Sequence, residues 1–247
     1  MVEEKKESVA KKFARFKDSE WFGVKHKAVI GGVGGIGSWF SLLFMRTGDH
    51  TCVVYDMDTI EDTNMAGQLY SDQDIGKKKV DAMQEHVKQF AGADVKFHAI
   101  NDKITAENCH RAPLMISCFD NMEARKVFFE HWKADFAEFP DKDPSEYLFV
   151  DGRMNAENFQ LFFVTPENAK HYEENFLYGD GDVPDLACSF KATSHTAAML
   201  SAKMVTGITN WTGNNKTGVD SRVVPYFYQY DLAFMMERVY EYPRDII

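Results

Sequence analysis

Apolar positions along the chain gather into short runs that alternate with longer stretches of helical spacing. Ala28-Val29-Ile30, Cys52-Val53-Val54-Tyr55 and Leu114-Met115-Ile116-Ser117-Cys118-Phe119 have the continuity of buried strands. Between them, Ser38 to Thr47 reads as a helix closed by Gly48, and Ile75 to Phe90 sets Val80, Met83, Val87 and Phe90 at helical spacing. Val95 to Ile100 alternates weakly as a strand, Asn121 to Trp132 reads as a helix, and Tyr147 to Val150 as another strand. Phe159 to Val164 predicts a strand antiparallel to its neighbour. Ser194 to Trp211 predicts a helix whose Ala197, Ala198, Ser201 and Ala202 suit close packing, and Val223 to Leu232 a terminal strand or hairpin. Strands alternating with helices imply an α/β fold: a mostly parallel sheet with helices on both faces and antiparallel strands added in the C-terminal half.

Two segments stand outside the alternation. Residues 3–20 form a basic-acidic amphipathic opening, a solvated helix or arm. Thr165 to Phe190 mixes Pro166, Gly179, Gly181 and Pro184 with aromatic and acidic residues and shows no clean period, which reads as a long functional loop. A length of 247 residues accommodates all of this in a single domain, 1–247.

Composition narrows the function classes. With 45% apolar and 27% charged residues the chain is an ordinary globular protein, which excludes disorder, collagen and a disulfide-stapled miniprotein. The formal charge of -10 disfavours nucleic acid and anionic membranes, both of which need surplus positive charge, and favours a neutral small molecule or a basic-surfaced protein. The four cysteines, Cys52, Cys109, Cys118 and Cys188, form no CxxC pair, so a reducing, cytoplasmic setting is the simpler expectation. The charged start lacks the apolar stretch of a secretory signal, and the richest apolar run, Trp39 to Met45, is too short to span a bilayer.

The strongest chemical signal is Gly32-Val33-Gly34-Gly35-Ile36-Gly37, directly after a strand and opening a helix. Glycines there permit a tight turn and a close backbone approach, and the helix N-terminus offers free N–H groups to a phosphate. Asp56, ending the next strand where a ribose hydroxyl would lie, completes a Rossmann-like nucleotide-binding fingerprint, which alone does not choose between NAD and ATP. The motifs that follow discriminate. Asp56/Asp58, Asp120 and Asp151 each fall just after a predicted strand and so line one sheet edge. Carboxylates around a triphosphate require a divalent cation between them, so Asp120 points to magnesium and Lys79 to the phosphates.

The ordered set Gly32 to Gly37, Asp56-x-Asp58, Asn64-xxx-Gln68, Ile75-Gly76-xx-Lys79 and Asp120-Asn121 resembles the successive motifs of the ThiF/MoeB/HesA superfamily, the adenylating domains related to ubiquitin-activating enzymes. The resemblance is clear over residues 28–125 and looser over 147–211. It implies an ATP-dependent adenylyltransferase, a nucleotide-binding transferase that turns the C-terminal carboxylate of a ubiquitin-like or sulfur-carrier protein into an acyl-adenylate. It implies a homodimer as well. Carried onto this chain, it assigns Gly34 and Gly35 to the phosphate-approach loop, Asp56 to the ribose, Asn64 and Lys79 to the phosphates and Asp120 to magnesium, with Gly32, Gly37, Asp58, Gln68 and Asn121 as neighbouring binding positions. Residues 1–25 are then an N-terminal arm, 28–135 the nucleotide-binding half, and 147–247 the substrate-binding half with a crossover loop at about 165–190. Taken singly, Asn64 could equally cap a turn, Gln68 be a surface residue, and Lys77 to Lys79 be a solvated helix start.

The chain also departs from the pattern. Where the resembling enzymes carry an arginine just before the glutamine, this chain has Gly67. Arg15 of the arm, Arg125 or Lys77/Lys78 are the candidates to supply that charge, Arg15 because the arms of resembling homodimers lend an arginine to the partner's site. The paired CxxC zinc motifs are absent, and so is room for an inserted catalytic-cysteine domain. A thioester-forming nucleophile must come from the existing cysteines, of which Cys188 ends the long loop just before a helix that would lower its pKa. Asp151-Gly152-Arg153 either holds the adenylate or substrate tail or is a turn with a salt-bridged arginine. Two other readings stay open: an NAD-linked oxidoreductase, which leaves Asn64, Lys79 and Asp120 unexplained, and a non-catalytic relative serving as a binding platform.

Overall fold

The computed structural model describes residues 11–178 and 193–241. One eight-stranded sheet has the order β3-β2-β1-β4-β5-β6-β7-β8. Strands β1 (Lys27–Gly31), β2 (Thr51–Tyr55), β3 (Lys96–Ile100), β4 (Leu114–Ser117) and β5 (Leu148–Met154) run parallel. Strands β6 (Asn158–Val164), β7 (Phe227–Asp231) and β8 (Met236–Tyr240) add to β5 antiparallel. The predicted fold class is the observed one.

Alternate strand residues serve two cores, because successive side chains point to opposite faces. On one face Ala28, Ile30, Cys52, Val54, Leu114 and Ile116 pack under α1 (Gly35–Met45), α2 (Lys79–Ala91) and α5 (Ser194–Thr217). On the other, Val29, Tyr55, Met115 and Phe149 meet α3 (Met122–Glu138) and α4 (Ala169–Phe176) through Phe128, Phe129, Trp132 and Tyr172.

Several boundaries depart from the sequence reading. Helix α2 starts at Lys79 rather than Ile75, because Asp72–Asp74 forms a 3-10 turn and Gly76 adopts a φ of +86° that no helix continues. Helix α3 runs on to Glu138, and the segment expected to be a loop after Thr165 contains α4. Gly48 lies beyond the cap residue Arg46, and a side chain on it would strike the His50 ring at 2.9 Å. The terminal segment is a hairpin of β7 and β8, turning at Met235. Among the described residues no helix is long and apolar enough to cross a membrane.

Candidate active site

Register brings the functional ends of four parallel strands level: Gly31 pairs with Tyr55 and Ser117, and Ser117 with Asp151. The glycine loop, Asp56, the β4–α3 loop and Asp151 therefore share the carboxyl edge of the sheet, the usual ligand edge of an open α/β sheet. Each glycine has its own reason. Gly32 has a φ of +86°, and a Cβ on Gly37 would lie 1.9 Å from the Gly32 carbonyl oxygen, so both shape the turn. A Cβ on Gly34 would meet nothing within 4 Å, which leaves the approach to the first turn of α1 open. Helix α1 has no side-chain N-cap and no acidic residue in its first turn, so no group of its own competes for those amides.

Asp56 fastens this loop to the end of β2. Its Oδ2 accepts from Val33 N at 2.8 Å and its Oδ1 from Asp58 N at 2.9 Å. Burial pushes its carboxyl up, against the pull of the Val33 amide and the nearby Lys79 charge. Lys79, at the start of α2 and almost fully buried, places Nζ 2.7 Å from Asp58 Oδ2, whose carboxylate is exposed. Tyr70, which the sequence did not single out, links the two parts: its hydroxyl donates to Val33 O at 2.6 Å and Lys79 O at 3.3 Å.

The Asn64 to Gln68 segment lies across the first turns of α1. Trp39 Nε1 donates to Gly67 O, Leu69 N to Ser38 Oγ, and Ser194 N, at the start of α5, to Ala66 O. Asn64 does cap a turn, accepting from Glu61 N at 2.9 Å through Oδ1 in a capping box. Gln68 Oε1 is buried with no hydrogen-bond partner among the described residues.

Asp120 stands exposed after β4, its Oδ1 3.3 Å from Asn121 Nδ2, while Asn121 Oδ1 caps α3 through Ala124 N at 2.9 Å. Among the described residues no three His, Cys, Asp or Glu side chains cluster into a protein-only metal cage. The donor set fits magnesium instead, which is commonly held by one or two carboxylates together with substrate phosphates.

Of the candidate replacements for an arginine at 67, only Lys78 stays beside the Asp56–Asp58 loop. Arg125 is buried against Asp151, and Lys77 is paired with Asp74 and Glu85. Lys78 Nζ reaches Met57 O at 3.4 Å. Arg15 is exposed on an arm whose Lys12 bonds Ala91 O and Asp94 at the far end of α2, so its own chain's site lies at the opposite sheet edge. Asp151, Gly152 and Arg153 form not an exposed turn but part of β5, and Arg153 is salt-bridged to Asp151 at 2.6 Å. Burial pushes the Cys52 and Cys118 thiols far up and Cys109 up to about 12, so all three stay protonated. Cys188 lies outside the described residues.

Ubiquitin-like modifier-activating enzyme 5 of Dictyostelium discoideum is 31% identical over 113 residues, 39% of this chain and 29% of the relative. The tRNA threonylcarbamoyladenosine dehydratase of Escherichia coli (strain K12) is 31% identical over 88 residues, 35% of this chain and 32% of the relative. The chain thus spans under a third of the length of these curated relatives. Among solved structures, E. coli MccB with MccA-N7isoASN superposes with a TM-score of 0.67 at 15% identity, covering 96% of this chain and 73% of that one. MccB with ATP superposes at 0.62 and 14% identity, covering 89% and 65%. Those two likenesses establish the fold. The profile of the ThiF family matches residues 24–243, and the chain belongs to that family.

Proposed function

We propose that the protein is an ATP-dependent adenylyltransferase that activates the C-terminal carboxylate of a ubiquitin-like or sulfur-carrier protein. The observation that carries this reading is the convergence of an open glycine loop, the buried Lys79 ammonium and the exposed Asp120 carboxylate on one sheet edge. A carboxylate oxygen of the substrate bonds to the α-phosphorus of ATP, the bond from that phosphorus to the bridging oxygen breaks, and pyrophosphate leaves with the electron pair. What such a transfer asks of a protein is alignment and charge neutralisation. The amides of α1 beyond Gly34 and Gly35 receive phosphate oxygens, Lys79 leaves Asp58 to neutralise them, and Asp56 holds the ribose. Asn64 and Gln68 serve the triphosphate in this reading through their amide N–H groups, the Oδ1 of Asn64 being taken by its own turn. Asp120 would hold magnesium, which supplies charge neutralisation on the leaving pyrophosphate.

The antiparallel half and the crossover segment receive the protein substrate in this reading, and E. coli MccB, solved with MccA, supports a peptide tail as the minimal substrate. With three cysteines buried or protonated, a transfer to sulfur falls to Cys188. Arg15 can serve only the partner's site of a homodimer, since it lies at the wrong edge of its own chain. Thermal stabilisation by ATP with magnesium, ATP with chelator, and NADH tests the reading, because a ligand of the folded state raises apparent stability by mass action. Magnesium-dependent stabilisation by ATP, lost in Asp120→Ala, together with pyrophosphate exchange that needs a Gly-Gly-ended partner, is the expected result. Stabilisation by NADH alone would replace it with the oxidoreductase. Partner binding indifferent to ATP would replace it with the platform.

A further inference from the structure

We propose that Arg125 is a positioning residue for Asp120, with Asp151 as its buried counter-ion; the inference rests on the adenylyltransferase reading for what Asp120 does. Arg125 lies in the first turn of α3, where a long side chain folds back toward the helix N-terminus. Its side chain is 6% exposed and that of Asp151 is 0% exposed. One guanidinium nitrogen reaches Asp151 Oδ1, Ser117 Oγ at 3.4 Å and Gly152 O at 3.3 Å, and the other donates to the carbonyl of Phe119. A single planar fork thus ties the ends of β4 and β5 to the residue immediately before Asp120.

The rest of the network serves that fork. Asp151 Oδ2 accepts from Arg153 Nε at 2.6 Å and from the Tyr172 hydroxyl at 2.8 Å, so both carboxylate oxygens are engaged. Phe119 is held on a second side, its ring filling the space where a Cβ on Gly31 would be and meeting Phe128 edge-on at 5.4 Å. Asn121 is pinned as the helix cap. Asp120 is therefore flanked by two anchored residues while its own carboxylate stays exposed. A buried ion pair adds little stability over an apolar pair of the same shape, so its worth here is geometric. Lysine, a point donor, lacks the fork needed to span Asp151 and the Phe119 carbonyl together.

Arg125→Lys keeps the charge opposite Asp151 and removes the fork. Three quantities are read: amide hydrogen exchange at residues 119–121, the magnesium concentration giving half of the ATP-dependent thermal stabilisation, and kcat against KM for pyrophosphate exchange. Phe129→Leu, a core change on the same helix, is the reference for plain destabilisation. The expected result is faster exchange at 119–121 in Arg125→Lys, a magnesium midpoint raised roughly ten- to hundredfold, as for other groups that orient a metal ligand, and a lower kcat. Stabilisation by ATP in chelator stays as in the wild type, and Phe129→Leu lowers Tm without moving the magnesium midpoint. A wild-type midpoint in Arg125→Lys, or the same shift in Phe129→Leu at equal loss of Tm, overturns the proposal. Should Arg125→Lys not fold, Arg125→Met, which leaves Asp151 paired with Arg153 at 2.6 Å and Tyr172 at 2.8 Å, carries the same expectations. Should ATP fail to stabilise even the wild type, the adenylyltransferase reading falls, and exchange at 119–121 alone decides the mount: faster only in Arg125→Lys sustains it, unchanged overturns it.

Discussion

Strands β1, β2 and β4 end level at the carboxyl edge of the sheet, beside Asp151 of the buried half of β5, whereas β7 is only partly covered and every residue of β8 is exposed. The parallel half spends its polar groups on one another: Asp56 on backbone amides, Arg125 and Arg153 on Asp151, Tyr70 on the glycine loop. The antiparallel half instead turns Phe234, Met235, Met236, Val239 and Tyr240 toward solvent. Fixed geometry at one end and exposed apolar surface at the other suit the proposed reading, in which small charged groups are aligned at one edge and a larger partner is received beside it. Substitutions that act on one half and not the other test that division.

The largest effect is expected from Asp151→Ala. Burial alone would raise the Asp151 carboxyl, but Arg125 and Arg153 overcome it and hold it below the usual range, so the charge is paired as it stands. Removing it strands a buried guanidinium, with an expected loss of about 3–5 kcal/mol. The urea midpoint at neutral pH measures this; a loss below about 1 kcal/mol, the size of a surface effect, would show that the network is not what holds the parallel edge together.

Acid should weaken the opposite edge of the same half next. His26 and His50 stack at 5.3 Å beside Phe44, Trp211 and Thr212, and burial lowers their pKa values to about 4 and about 3, with mutual repulsion adding to it at His50 and Asp49 opposing it. Both are neutral when folded, and the unfolded chain binds the extra protons below about pH 6.5. Stability is therefore whole above that pH and falls progressively as pH drops toward about 4. Tm against pH for the wild type and for His26→Gln with His50→Gln checks it; an equally steep fall in the double variant would place the acid sensitivity elsewhere.

How far the sequence could be read follows the same division. Strands β1, β2 and β4 are continuous apolar runs, and the glycine loop, Asp56, Asp58, Asp120 and Asn121 follow such runs closely, so order along the chain implied nearness in space. Helix α4 went unseen because it has only eight residues and sits among Pro166, acids and aromatics, although Ala169, Tyr172 and Phe176 keep helical spacing. Tyr70 and Arg125 were not legible in their roles, since their partners lie 37 and 26 residues away and only the register of the sheet brings them together. Asn64 shows the reverse case, where the local motif was visible and the turn it caps is what the backbone makes of it.

Smaller effects separate glycines that shape the loop from the glycine that admits a ligand. Gly37→Ala forces a Cβ to 1.9 Å from the Gly32 carbonyl and should lower stability by about 1–3 kcal/mol. Gly34→Ala has open space around the added Cβ and a negative φ of -73°, so it should cost less stability than Gly37→Ala while stabilisation by ATP is lost. Thermal scans of both variants with and without ATP decide the matter, and unimpaired ATP binding by Gly34→Ala would remove the glycine loop from the nucleotide site.

The least effect on the folded chain is expected at Val239. It is exposed on the edge strand, opposite Tyr228 in the ladder. Val239→Thr keeps the β-branched shape that strands favour, so Tm and ATP-dependent stabilisation should both stay as they are, stability within about 0.5 kcal/mol. If the exposed apolar residues of the hairpin instead support the nucleotide edge through the sheet, ATP-dependent stabilisation will fall with the substitution. Unchanged stabilisation would leave β8 independent of the chemistry proposed at β1, β2 and β4, as its place six strands from β2 in the sheet order implies.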